Sequence, residues 1–328
     1  MAVRRKVTTY PIATRAFKVN VDDFGARPST DGTFASFWNG LPRILAAESL
    51  QRVSGAILEA RRRGRPVVLA FGAHVLKTGL APVLIDLVER GFVTALATNG
   101  ASGIHDFEVA YAGKTSEDVG TVLRDGEFGM SRETGAGVFR ALRLGRPKGW
   151  GYGRSLGAYI AASRFPHRDL SLFAAAARAN VPLTVHVAIG TDTLAQHPGM
   201  DGALVGELSY RDFLTIRDVV ARLGDGGVWI NAGSAVILPE VFLKALSMAR
   251  NLGNDVRSFT TVDLDMIRQY RPGENVLKRP VMAGGASYAI TGHHEIVLPL
   301  LAQALVLGLG ERPRAPEEPG NRRRGPRS

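Results

Sequence analysis

The densest run of chemistry-bearing residues is Ala97-Thr98-Asn99-Gly100-Ala101-Ser102-Gly103-Ile104-His105-Asp106-Phe107-Glu108. An apolar run, Phe92 to Ala97, leads into it, and a helical pattern follows. Small residues at a strand mouth, then a polar cluster opening a helix, are how α/β folds present backbone N–H groups to an anionic ligand. Thr98, Asn99, Gly100, Ser102 and Gly103 are therefore candidate cofactor contacts. His105 titrates near neutrality and can move a proton. Asp106 beside it can orient a cofactor or cap the first helical turn.

These residues need a frame to hold them. Pro66 to Gly72 is apolar throughout, without alternation, which is the mark of a parallel strand covered on both faces. Strands are expected again at Phe92–Ala97, Val181–Ala188, Gly227–Asn231, Arg257–Val262 and Ser287–Ile290. Helices are expected over Pro42–Arg63, Leu80–Arg90, Gly103–Ala112, Asp169–Ala179, Asp212–Leu223, Pro239–Leu252 and His294–Leu309. The alternation implies a doubly wound, mostly parallel Rossmann-like sheet with helices on both faces. Residues 1–40 read as an irregular arm and 41–309 as one α/β domain. Residues 113–165 read as an insertion with short helices near 131–144 and 154–164, and 310–328 as a disordered basic tail.

Parallel sheets bind ligands at the carboxyl ends of their strands. Besides Thr98 and Asn99, those ends carry Thr191 and Asp192, then Gly233 and Ser234, then Thr261 and Asp263. Each is an ordinary turn residue. Together they imply a nucleotide-type pocket. The usual fingerprints are missing: no G-x-G-x-x-G follows a strand, and there is no G-x-x-x-x-G-K-[ST].

Composition removes other classes. The 328 residues include no cysteine, so thiolate catalysis, disulfides and thiolate metal sites are excluded. His293-His294-Glu295 has no third histidine at ligand spacing, so no metal is expected. No stretch of 18 uncharged apolar residues is present, and no apolar signal-type core follows the basic start Met1–Lys6. A cytoplasmic protein with no membrane partner is the expectation. Net charge is +11, part of it in the tail, where six Arg face three Glu. A solvated tail accounts for that, and nucleic acid is not the expected partner.

The block Gly79–Val88, then Val93–Gly100, then Gly103-Ile104-His105-Asp106, resembles deoxyhypusine synthase. Val181–Asp192 and Glu295–Leu301 are similar too, in the same order. Asn-Gly-Ala followed by Ile-His-Asp is also similar to the archaeal-type NAD-dependent ornithine cyclodeaminase domain. The resemblance implies NAD as cofactor, a small amine as substrate, and a homo-oligomer, dimer or tetramer, with active sites between paired subunits. It implies oxidation of the amine to an imine, followed by polyamine aminobutyl transfer or ornithine-type deamination. Glu274–Pro280 resembles the catalytic segment, which makes Lys278 the imine-forming amine and Glu274 the carboxylate for the substrate ammonium. His293 stands where the family has an aspartate that contacts the cofactor. The family's glycine triplet is replaced by Pro239-Glu240-Val241 and its catalytic tryptophan is absent. A catalytically degenerate or regulatory relative is therefore the alternative expectation.

Overall fold

The structure is a computed structural model that describes residues 7–310. The expected tail falls almost wholly outside the described residues. Six strands form one all-parallel sheet in the order β3-β2-β1-β4-β5-β6. The strands are β1 Val67–Phe71, β2 Ala95–Asn99, β3 Leu183–His186, β4 Val228–Ala232, β5 Phe259–Asp265 and β6 Gly285–Thr291. The first five are buried almost throughout, as their continuous apolar character requires, while the edge strand β6 is largely exposed.

The helices before and after the first strand are α1 Phe34–Gly40, α2 Leu45–Arg62, α3 His74–Lys77 and α4 Ala81–Glu89. The β2–β3 crossover carries α5 Gly100–Ala112, α6 Val119–Val122, α7 Arg132–Gly145, α8 Tyr152–Ala161 and α9 Leu172–Arg178. The second half holds α10 Gly202–Val220, α11 Ile237–Asn251, the single turn α12 Tyr270–Pro272 and α13 His294–Val306.

Strand alternation splits the core between the two faces. Leu69, Leu96, Ile230 and Val262 pack with Leu84 of α4, Phe139 of α7, Leu156 of α8 and Leu301 of α13. Val68, Ala97 and Trp229 point the other way, to Ile216 of α10 and Phe242 of α11. Trp229 stacks on Phe242 with ring centroids 4.2 Å apart. Helices α7 and α8, from the expected insertion, place Val138, Phe139, Leu142, Leu156 and Ile160 in the first of these clusters.

Several boundaries differ from those expected. α5 begins at Gly100 rather than Gly103, because the Asn99 side chain caps it by accepting from the Ser102 amide at 3.1 Å. α10 begins at Gly202, ten residues before the expected Asp212, because Asp201 caps it by accepting from the Leu204 amide at 3.0 Å. Within the arm, Thr33 caps α1, a helix anchored by the fully buried Trp38. No helix among the described residues is long and apolar enough to cross a membrane.

Candidate functional site

A cavity of about 680 Å³ lies against α5 rather than centrally over the sheet. Four pieces of chain wall it: Lys77 at the end of α3, α5, residues 113–134, and the loop Thr191–Thr193 after β3. Ile104, Phe107, Tyr111 and Phe128 form its apolar wall. Its charged lining is Glu108, Glu117, Glu133 and Asp192 against Lys77 and Lys114. An excess of carboxylates in a chain of net charge +11 is a local inversion of the protein's charge.

His105 is the centre of this wall. Its Nδ1 lies 2.7 Å from the Thr115 hydroxyl and 3.9 Å from the Glu108 carboxylate. Thr115 in turn donates to Glu108 through a short contact. The other Glu108 oxygen accepts from Thr134 at 3.2 Å. Burial, helped by the nearby Lys77 ammonium, lowers the His105 pKa to about 4. The imidazole is therefore neutral at physiological pH.

Asp106, one residue on, faces the opposite way. Its carboxylate accepts from Ser171 through a short contact and from the Leu172 amide at 2.7 Å, at the amino end of α9. Burial raises its pKa to about 7, against the pull of Ser171 and the α9 amides. Its place is that of a helix cap reaching across from α5, not of a cavity group.

Thr98, Asn99 and Ser102 satisfy one another: Thr98 lies 2.5 Å from Ser102, and both the Ser102 amide and hydroxyl donate to Asn99. Gly103 lets α5 approach α8, since a β-carbon there would come within 3.1 Å of Leu156. A β-carbon on Gly100 would run into the Asp192 carboxylate. That carboxylate accepts from the Ala101 amide, and burial raises its pKa to about 6. The amino end of α5, the natural seat for a phosphate, is thus filled by the chain's own acid. Gly72 and Gly233 meet backbone to backbone, because a β-carbon on Gly72 would collide with the Gly233 carbonyl. At the amino end of α5, the Asp192 carboxylate therefore stands where the pyrophosphate of NAD would have to lie.

The remaining expected contacts are scattered. Thr191 and Asp192 line the cavity. Ser234 accepts from the Leu238 amide at the start of α11. Asp263 is buried, bonded to Asn231 at 2.9 Å and paired with Arg268 at 2.8 Å, and burial raises its pKa despite these partners. Thr261 is buried in the middle of β5 with no partner for its hydroxyl. His293 is exposed beside Glu295, whereas His294 turns inward, against Gly233 and 3.2 Å from the Leu264 carbonyl. Lys278 and Glu274 lie on a π-helical turn, Gly273–Lys278, after β5. They pair with each other at 3.3 Å, Glu274 also meets Arg279 at 3.5 Å, and neither lines the cavity. Lys278 is exposed and Glu274 half-buried, and their spacing of one turn lets them satisfy their charges locally.

Sequence reasoning missed Lys77, Glu108 in a specific role, Thr115 and Thr134. Glu108 was findable, since a residue three beyond His105 shares its helix face. Thr115 was not, because only the return of the chain after Gly113, in the left-handed region at φ 71°, brings it over α5. No group of three or more metal-ligating side chains occurs among the described residues.

Comparison with known proteins gives distant likenesses. No protein-family model matches the chain. A 65-residue stretch is 31% identical to an ornithine cyclodeaminase of Methanothermobacter thermautotrophicus, covering 20% of this chain and 16% of that one. Among solved structures, a protein of Entamoeba histolytica assigned to deoxyhypusine synthase aligns over 88% of this chain and 98% of its own, with TM-score 0.52 and 12% identity. A LOR/SDH-type protein of Methanococcus maripaludis S2 aligns over 79% and 69%, with TM-score 0.49 and 16% identity. The chain thus spans only a sixth of the curated relative it matches. At this level of identity the structural likeness establishes the fold alone, a Rossmann-like α/β sheet.

Proposed function

We propose that the protein is a deoxyhypusine synthase-like enzyme that binds a small cationic amine in the cavity beside α5. The observation that carries this reading is the acid-rich lining of the cavity, four carboxylates against two ammonium groups, with His105 among them. A cationic amine seeks carboxylates, and its ammonium must lose a proton before its nitrogen or neighbouring carbon can react. Glu117, Glu133 and Asp192 supply the negative wall, and His105 is the imidazole in that wall placed to receive a proton once a bound amine gives one up. Polyamine aminobutyl transfer and ornithine-type deamination both begin with such an amine. NAD enters through the resemblance and through the kinship with the ornithine cyclodeaminase stretch. Where NAD is bound, it supplies hydride acceptance from carbon. The amino end of α5, where its pyrophosphate would sit, is held by the Asp192 carboxylate.

The test is thermal-shift titration with spermidine, with ornithine and with NAD, followed by assay for NADH and for amine products. The expected result is stabilisation by an amine and loss of turnover in His105→Gln with binding retained. No thermal shift with either amine at millimolar concentration would sink the reading.

A second reading, a non-catalytic relative, is favoured by Lys278, which is exposed, ion-paired and outside the cavity. Borohydride trapping with NAD and spermidine separates the two. An adduct on Lys278 that disappears in Lys278→Ala supports imine chemistry, and absence of any adduct together with absence of turnover supports the non-catalytic relative.

A further inference from the structure

The hydrogen bonds around His105 carry information about its protons. A carboxylate has no hydrogen to give, so in the short contact between Thr115 and Glu108 the hydroxyl donates. A threonine hydroxyl has one hydrogen. With that hydrogen committed to Glu108, the face of Thr115 Oγ1 turned to His105 offers only lone pairs. At 2.7 Å from Nδ1, lone pair against lone pair would repel, so Nδ1 carries the hydrogen. The Glu108 carboxylate 3.9 Å away favours the same arrangement. Nε2 makes no hydrogen bond to a described residue, so it is the nitrogen left with an open lone pair, and His105 lines the cavity.

We propose that Thr115 and Glu108 are positioning residues that lock His105 in its Nδ1–H form, so that Nε2 is the proton acceptor for the ligand in the cavity. The proposal rests on the amine reading for what the ligand is, and on geometry for the lock. The proton step balances simply: a substrate N–H bond breaks, an Nε2–H bond forms, and the imidazolium so made keeps its Nδ1–H bonded to Thr115. The positive charge then lies one hydroxyl away from the Glu108 carboxylate, which stabilises it, while Lys77 opposes it.

Three features fix the parts of the lock. His105 and Glu108 are three residues apart on α5 and share a face. Gly113 ends α5 in the left-handed region and Ser116 also adopts positive φ, at 69°, so the chain doubles back and lays Thr115 between them. Thr134, buried in the first turn of α7, holds the second Glu108 oxygen, so both carboxylate oxygens accept from threonine hydroxyls. The arrangement follows the logic by which an acid orients a catalytic histidine, with a hydroxyl interposed.

The test is long-range 15N–1H NMR of histidine-labelled protein, with the His105 signals identified by their loss in His105→Gln. The chain has seven histidines, few enough to resolve. The expected spectrum at neutral pH shows His105 with Nδ1 protonated and Nε2 bare. In Thr115→Val the population shifts toward the Nε2–H form, and Thr115→Ser restores the wild-type pattern. Where an amine is turned over, Thr115→Val lowers kcat by roughly 10- to 100-fold with KM little changed, and Thr115→Ser recovers most of it. A wild-type His105 protonated at Nε2, or a tautomer unmoved by Thr115→Val, overturns the lock. The wild-type spectrum alone decides even if Thr115→Val fails to fold. A correct tautomer without amine binding discards the amine reading and leaves the lock standing. Amine turnover with the opposite tautomer does the reverse.

Discussion

His105 and Asp106 are neighbours in sequence and opposites in environment. One is a neutral base in a cavity wall, and the other is a carboxylate holding the first turn of a distant helix. The pKa of His105 in the fold is about 4, below its ordinary 6.5. A histidine whose folded pKa is depressed binds fewer protons than it does in the unfolded chain between those values. Its contribution therefore strengthens the fold as pH rises from about 4 to about 6.5, and is lost as pH falls through the same window. His186, lowered to about 3 by burial, acts in the same direction, while Asp106, Asp192 and Asp212, all raised by burial, act in the opposite one. The clean measurement is therefore a difference. Urea unfolding of wild type and His105→Gln is expected to diverge by up to roughly 3 kcal/mol between pH 4 and 7, the wild type gaining as pH rises. At Asp106 the expected outcome is plainly structural: Asp106→Ala leaves three donors buried without an acceptor and lowers stability by about 3 kcal/mol in the same assay. His105 was legible because its type and its place after a strand both pointed to chemistry. The role of Asp106 was half legible, since capping was one of its two expected uses, but which helix it caps depends on a contact 66 residues away.

At the level of elements, the strands were the most legible features, because apolar runs bounded by turns leave little freedom. β1 was expected at Pro66–Gly72 and is Val67–Phe71. The first half of α10 was missed because Gly202 and Gly206 dilute its helical pattern, and burial of Leu204, Val205 and Leu208 outweighs the cost of the glycines. The packing of α8 on β3 shows what some glycines are for. A β-carbon on Gly153 would collide with the Leu183 carbonyl, and the Gly153 amide donates to the buried Asp212 at 2.8 Å. Gly153→Ala is thus expected to cost about 3 kcal/mol or to prevent folding, read as a fall in thermal midpoint, because backbone and not a flexible side chain must yield. Gly149→Ala, with nothing within 4 Å of its β-carbon but a left-handed φ of 72°, should cost only about 1 kcal/mol. The segment Gly273–Lys278 is the opposite case: the likeness to a catalytic segment drew attention to Lys278, but a sequence match carries no direction, and the π-helical turn sends the side chain outward.

Across the whole molecule, charge makes the sharpest forecast. A chain of net charge +11 repels cations at long range, whereas the cavity lining favours them at short range. If the lining governs binding, raising the ionic strength from ~0.02 to ~0.2 M weakens amine affinity several-fold by calorimetry, and if the overall charge governs, the same change strengthens it. The fold level was readable from the sequence as a whole, since six strand–helix alternations admit few topologies. The cavity was not, because it is built by residues 113–134 folding back over α5 rather than by the strand ends themselves. The Asp106 link then has a consequence for motion. Because α5 is tied to α9 through Ser171 and Leu172, rolling or sliding the helix that carries His105 would break buried hydrogen bonds. A ligand beside His105 lies between α5 and the outer walls, 113–134 and 191–193. The amides of α5 should accordingly exchange with solvent slowly and uniformly whether or not an amine is present, while those of the two outer walls quicken or slow with occupancy.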